Sequence, residues 1–299
     1  MKVGVIGLGL IGGSMSIDLK KRGFAETVLG YDIDPLHAGV AEKIGIVDRA
    51  VDLETLAAKA DLIVVAVPVD AAVEMLPALL DKIEKQVVTD VCSTKSSIMN
   101  AVRDHPRRSR FVSGHPMAGT ENSGPWAALS GLFDGRVAII CDPRGSDPDA
   151  VAAVEALYRA LFMRTIRMES RTHDEHAAYV SHISHISSYA LALTVLDKER
   201  DEQTIFNLAS GGFSSTARLA MSSAAMWTPI FLHNSENILA VLDVYIEKIM
   251  QFKRCIEAKQ GKAIGRMIKE ANSIRRILGS ASPGTVNPAP LPTTENNGS

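Results

Sequence analysis

The segment Gly7-Leu8-Gly9-Leu10-Ile11-Gly12 constrains this chain more than any other. It matches GxGxxG, a pattern that is weak alone and gains meaning from its setting. An apolar run at 2–6 precedes it and a helical stretch at 12–22 follows it. Strand, glycine turn and helix in that order open a βαβ unit that binds a dinucleotide. Gly7 permits the tight turn, Gly9 lets the backbone approach a pyrophosphate, and Gly12 lets the helix pack close to the sheet. The helix N-terminus then offers free N–H groups and partial positive charge to the phosphates. Leu8, Leu10 and Ile11 complete the expected cofactor loop. The next apolar run, 27–31, leads into Asp32, whose carboxylate can accept hydrogen bonds from ribose hydroxyls and would repel a 2′-phosphate. Asp34 adds to that repulsion, and no Arg or Lys follows within the first few residues, so the expected cofactor is NAD rather than NADP. Val67 and Pro68, closing the run 62–67, are assigned to the same cofactor, because ligands in such sheets lie outside the carboxyl ends of the strands.

Further strands are expected at 86–90, 111–113 and 137–141, with helices from 35, at 71–85 and at 150–161. Strands apolar on both faces and alternating with helices indicate an α/β fold: a doubly wound, mostly parallel, Rossmann-like sheet. After Arg167 the pattern changes. Helical stretches are expected at 173–196, 202–208 and 235–278, with Gly211-Gly212 read as a loop. The expected organisation is therefore an NAD-binding domain over 1–167, an all-helical substrate and dimerisation domain over 168–279, and a disordered Pro/Thr/Asn/Ser-rich tail over 280–299. The stretch 238–252 is too apolar for the surface of a monomer, which points to a homodimer.

Composition excludes several partners. A net charge of −2 leaves no electrostatic footprint for nucleic acid or an anionic membrane. The longest apolar run ends at Asp70, far short of a membrane span, and the glycine-rich N-terminus lacks a signal-peptide cleavage site. Three scattered cysteines, Cys92, Cys141 and Cys255, suit a reducing, cytoplasmic compartment and no metal site.

Two segments beyond strand ends carry candidate chemistry, Asp90-Val91-Cys92-Ser93-Thr94-Lys95 and Gly114-His115-Pro116-Met117-Ala118-Gly119-Thr120-Glu121. His115, read as a loop residue, can take a proton near neutral pH, and Ser93 can share a hydrogen bond with the same reacting oxygen. Cys92 reads as a small buried residue, since nothing near it lowers a thiol pKa. His182 and His185, three apart, share a helix face. They could bind a metal, line a substrate pocket or pack at an interface. Arg218 could grip a carboxylate through its planar fork, or simply be a surface arginine.

Together these motifs resemble the prephenate/arogenate dehydrogenase family of tyrosine biosynthesis. The resemblance rests on the fingerprint, DVCSTK, GHPMAGTENSG, VSHISHISSYAL and the Gly-Gly-Phe…Arg…Met-Trp stretch, in family order over about residues 1–280. It implies NAD-dependent oxidative decarboxylation of prephenate to 4-hydroxyphenylpyruvate, or of arogenate to tyrosine; a non-catalytic NAD-binding sensor is a more distant alternative. It implies that His115 is the catalytic base on the substrate 4-hydroxyl, with Ser93 its hydrogen-bonding partner. Thr120, Glu121, His185, Arg218 and Trp227 match substrate-binding positions, and His182 and Asp174 a supporting polar network. Relatives carry an acidic residue where this chain has Ser214-Ser215, so the family's ionic gate is expected to be absent or differently built. The length leaves no expected room for a fused mutase or regulatory domain. Activity is expected to fall between pH 8 and 5 as His115 protonates.

Overall fold

A computed structural model describes residues 1–202, 208 and 211–276. Eight strands form one sheet: β1 (Lys2–Ile6), β2 (Thr27–Tyr31), β3 (Arg49–Ala50), β4 (Leu62–Val65), β5 (Val87–Asp90), β6 (Phe111–Pro116), β7 (Val137–Cys141) and β8 (Arg164–Met168). Their order is β3-β2-β1-β4-β5-β6-β7-β8. β1 to β6 run parallel, β7 is antiparallel to β6, and β8 is parallel to β7. The order reverses between β1 and β4, which opens the ligand crevice at their carboxyl ends.

β4 shows why these residues make a central strand. Its four residues are all buried, and alternate side chains enter different cores. Leu62 and Val64 join Val3, Val5 and Met15 on one face, whereas Ile63 and Val65 join Ile6, Leu76 and Leu79 on the other. The first face is covered by α1 (Leu10–Lys21), α2 (Pro35–Lys43) and α6 (Pro148–Ala160). The second is covered by α3 (Leu53–Lys59), α4 (Val69–Lys82) and α5 (Ser96–Val102). Local caps place the helix starts: the Asp34 side chain accepts from Leu36 N–H at 2.8 Å, and Asp52 from Thr55 N–H at 2.7 Å.

Beyond the sheet come α7 (Ser170–Ala177), a π turn at 178–182, α8 (Ile183–Glu202), α9 (Gly211–Ala217), α10 (Ala224–His233), α11 (Ser235–Glu257) and α12 (Gly261–Ala271). α10 inserts Trp227 and Ile230 into the same core as α4, so contacts group Met1–Asp243 as one compact unit and Val244 onward as another. Among the described residues no helix is long and apolar enough to cross a membrane.

Several expectations need correction. Gly211-Gly212 begins α9 rather than forming a loop, since glycine is tolerated at a helix start. The single helix expected over 235–278 breaks after Glu257, where Lys259 takes φ +51° and ends the helix in a left-handed turn. β3, β8, α3 and α5 were not anticipated. β3 has two residues, and β8 is an edge strand whose Arg164 and Arg167 are exposed. The helix expected over 202–208 falls largely, and the tail over 280–299 wholly, outside the described residues.

Candidate active site

The glycine turn has the geometry of a phosphate cradle. Gly7 sits at φ +91° and a side chain there would meet Ala66 O at 2.4 Å; one on Gly12 would meet Gly7 O at 2.0 Å. Around Gly9, by contrast, nothing lies within 4 Å of such an added carbon. Gly9 is also the N-cap of α1 and supplies no side-chain cap. The turn is thus tight where it packs and open where a pyrophosphate would approach. Leu8 is fully buried, and its N–H donates to Asp32 Oδ2 at 2.8 Å. Leu10 is buried and Ile11 half-buried, so these positions serve through their backbone. Asp32 Oδ1 accepts Asp34 N–H at 3.0 Å, which holds the carboxylate at the end of β2. His37, which the sequence reading passed over, lies 3.8 Å from both Asp32 and Asp34 with its ring edge-on to Trp126. Val67 O accepts from Cys92 Sγ, and exposed Pro68 caps α4, so both stand beside the turn at the end of β4. These residues fit a bound NAD.

The neighbouring strands build a buried charge cluster. β6 runs on to Pro116, so His115 belongs to a strand and not to a loop, and it is 8% exposed. Below it Asp90 and Lys95 are both fully buried and form an ion pair. Lys95 Nζ also donates to Gly114 O at 2.6 Å, and Asp90 Oδ1 accepts from Ser113 Oγ at 3.0 Å and Gly114 N–H at 3.2 Å. Burial alone would push the Lys95 ammonium down, but Asp90 outweighs it and holds the group protonated. Gly114 is crowded from the other side: any side chain there would meet the Tyr158 hydroxyl at 2.2 Å. Burial, reinforced by Asp90, raises the Cys92 thiol, in keeping with a packing role.

His115 Nδ1 lies 2.8 Å from His173 Nε2, and His173 Nδ1 lies 2.8 Å from Asp174 Oδ1. The partner on Nδ1 is therefore His173, not Ser93, which stands half-buried on the loop after β5. Asp174 accepts the N–H groups of Lys95 at 2.7 Å and Ser96 at 2.8 Å. Burial pushes its carboxyl up, and the hydrogen bonds from His173, Ser96 and Lys95 outweigh that to leave it low. His115 is driven well below the ordinary histidine value by burial first, then by His173, Lys95 and His182. It is neutral at physiological pH. The fall in activity expected between pH 8 and 5 therefore moves to more acidic solution.

Three of the residues expected to bind substrate, Trp227, His185 and His182, pack together. His185 stacks on its ring with centroids 3.5 Å apart, and buried His182 meets it edge-on at 6.0 Å. Among the described residues the buried Trp227 Nε1 has no hydrogen-bond partner. Burial lowers His182 to about 4 and also lowers His185, against which Arg218 adds its charge. Asn234, absent from the sequence reading, donates to Asp174 O at 2.7 Å and contacts His182 Nδ1 at 3.1 Å. Arg218 is half-exposed and binds Glu121 at 2.8 Å. Glu121 thus pairs with the arginine in a chain that has serines at 214 and 215. Thr120 Oγ1 accepts Asn122 N–H in the same loop. No group of His, Cys, Asp or Glu among the described residues gathers to hold a metal.

The arrangement is a dinucleotide cradle beside a neutral buried histidine, an aromatic wall and a carboxylate-binding cation. Residues 15–166 match the family model "Prephenate dehydrogenase, nucleotide-binding domain", and 169–270 match "Prephenate dehydrogenase, dimerization domain". The chain is 33% identical to a prephenate dehydrogenase of Bacillus subtilis (strain 168), over 94% of this chain and 76% of the relative. Its fold matches that of the A. aeolicus prephenate dehydrogenase solved with hydroxyphenyl propionate and NAD+, with TM-score 0.83, 27% identity, and 93% and 98% of the two chains covered. It also matches the Synechocystis arogenate dehydrogenase, with TM-score 0.74, 29% identity, and 93% and 100% covered. The chain belongs to the prephenate dehydrogenase family.

Proposed function

We propose that the protein oxidatively decarboxylates prephenate to 4-hydroxyphenylpyruvate with NAD, as a homodimer, with residues 1–167 holding the cofactor and 168–279 forming the substrate and dimer region. The carrying observation is that His115 is buried, neutral and anchored through Nδ1, which leaves Nε2 as the base for a substrate hydroxyl. NAD held at the Gly7–Gly12 turn and Asp32 would supply the acceptor for the hydride of the carbinol carbon. His115 takes the 4-hydroxyl proton, and loss of the ring carboxylate as CO2 leaves an aromatic ring. The phenolate oxygen then recovers a proton from His115. Arg218 exchanges Glu121 for a substrate carboxylate. Trp227 and His185 offer a flat wall to the ring, and Trp227 Nε1 offers an unclaimed donor. The family match to a dimerisation domain and the exposed apolar side chains Val244, Ile246, Ile249 and Met250 support the dimer.

The likeness to an arogenate dehydrogenase supports a second reading, arogenate to tyrosine, in which the same base and arginine act on an amino rather than a keto side chain. Formation of NADH is the test, with prephenate and arogenate side by side and with NAD against NADP. Turnover with prephenate and at least about tenfold preference for NAD are expected from the Asp32 carboxylate. Turnover with arogenate alone selects the second reading, and turnover with neither overturns both. Arg218→Ala should raise KM about 10- to 100-fold with a smaller change in kcat; an unchanged KM would count against the carboxylate role.

A further inference from the structure

We infer that His173 and Asp174 act on His115 as a relay that fixes which ring nitrogen is the base and lends the substrate proton a second resting place during the reaction. The inference rests on the reading of His115 as the base and adds two positioning residues to it.

The proton assignment follows from the partners. Asp174 is held as a carboxylate acceptor by two backbone N–H groups, those of Lys95 and Ser96 at the start of α5. His173 Nδ1 lies against that carboxylate, so it carries the proton. The Nε2 of neutral His173 is then bare and must accept. Among the described residues the donor it meets is His115 Nδ1, at 2.8 Å. His115 therefore presents a bare Nε2, the lone pair the reaction needs. All three groups are at most 8% exposed, so water does not compete for these hydrogen bonds.

The relay also answers an electrostatic difficulty. His115 faces Lys95, His173 and His182, and each of them opposes a positive charge on it. A proton arriving at Nε2 would make an unsupported imidazolium. Burial holds His173 below the ordinary histidine value too, but unlike His115 it has carboxylates beside it: Asp174 and Asp90 favour a positive charge there, and Lys95 opposes it. Shifting the Nδ1 proton of His115 to His173 Nε2 moves the charge next to a carboxylate. The steps balance. The substrate O–H breaks as His115 Nε2–H forms, and His115 Nδ1–H breaks as His173 Nε2–H forms. After the C–CO2 bond breaks and its electron pair enters the ring, the phenolate oxygen takes the Nε2 proton, and His173 returns its own to His115. No proton is exchanged with solvent, in keeping with the burial of all three groups.

The test has two arms. In the wild-type protein with NAD bound, nitrogen-15 NMR of labelled histidines should show His115 protonated at Nδ1 and bare at Nε2, and His173 protonated at Nδ1. The opposite tautomer at either ring overturns the relay. In the second arm, His173→Gln keeps an oxygen near the position of Nε2, which can accept from His115 but cannot take its proton. A kcat loss of about tenfold or more is expected, with KM within about threefold of wild type. Rates in H2O/D2O mixtures should change from curved to linear dependence on deuterium fraction. Wild-type kcat with unchanged curvature in His173→Gln overturns proton sharing. Full activity in His115→Asn would instead remove the base itself, so the two failures are told apart. The NMR arm uses wild-type protein and stands even if His173→Gln does not fold.

Discussion

The cofactor turn and the buried cluster around His115 lie at the strand ends of one sheet but are built by opposite means. The turn spans six consecutive residues, 7–12, and works through bare backbone: its glycines exclude side chains, and its leucines point into the core. The cluster draws Asp90, Lys95, His115, His173, Asp174 and Asn234 from four separate stretches and works through side chains buried together. A site made of backbone is written locally and can be read locally. A site made of buried side chains exists only after the chain has folded.

Four changes would break or sharpen that contrast. Lys95→Met removes the cation paired with buried Asp90, and should cost about 3–5 kcal/mol of stability by denaturant unfolding. A smaller loss than about 1 kcal/mol would mean that the pair is not the keystone of the cluster. His115→Asn should lower kcat at least about 100-fold with little change in KM or in NAD affinity; steady-state kinetics decide it. Gly12→Ala acts only at the other end. Its new carbon would collide with Gly7 O, so NAD affinity should fall about 10-fold or more in a fluorescence titration while the His115 tautomer stays as it was. The last effect is on acid stability and is confined to solution below about pH 6.5. His182 is lowered to about 4 when folded, against about 6.5 unfolded. Between those values the unfolded state binds more protons, so the stabilisation is complete above about pH 6.5 and drains away towards pH 4. The slope is at most about 1.4 kcal/mol per pH unit. His182→Asn should flatten that part of the profile, and an unaltered profile would show that His182 does not govern it.

The same contrast explains what could be read from the amino-acid sequence. The fingerprint, Asp32, the core strands and the candidacy of His115 and Arg218 were legible because each is announced by its immediate neighbours. Lys95 lay within a quoted motif, yet a lysine declares itself as a buried partner only when Asp90 and Gly114 are seen around it. His173 looked like one of several histidines on a helix. Its role depends on a contact with a strand 58 positions away. Asn234 carried no signal at all. The pairing of Arg218 with Glu121 joins residues 97 apart and shows why the serines at 214 and 215 did not settle the question of an ionic gate.

Tyr158 and Gly114 have a consequence for how this enzyme can change. The backbone next to His115 has no room for even a methyl group at Gly114, because α6 presses the Tyr158 phenol against it. Arg218, the residue proposed to grip a substrate carboxylate, lies elsewhere, paired with Glu121 of the half-exposed Thr120–Glu121 loop. Reaction and recognition are thereby mounted on separate parts. A lineage, or an engineer, can rewrite which side chain the substrate carries by working on the loop, while the proton-handling floor stays closed to variation.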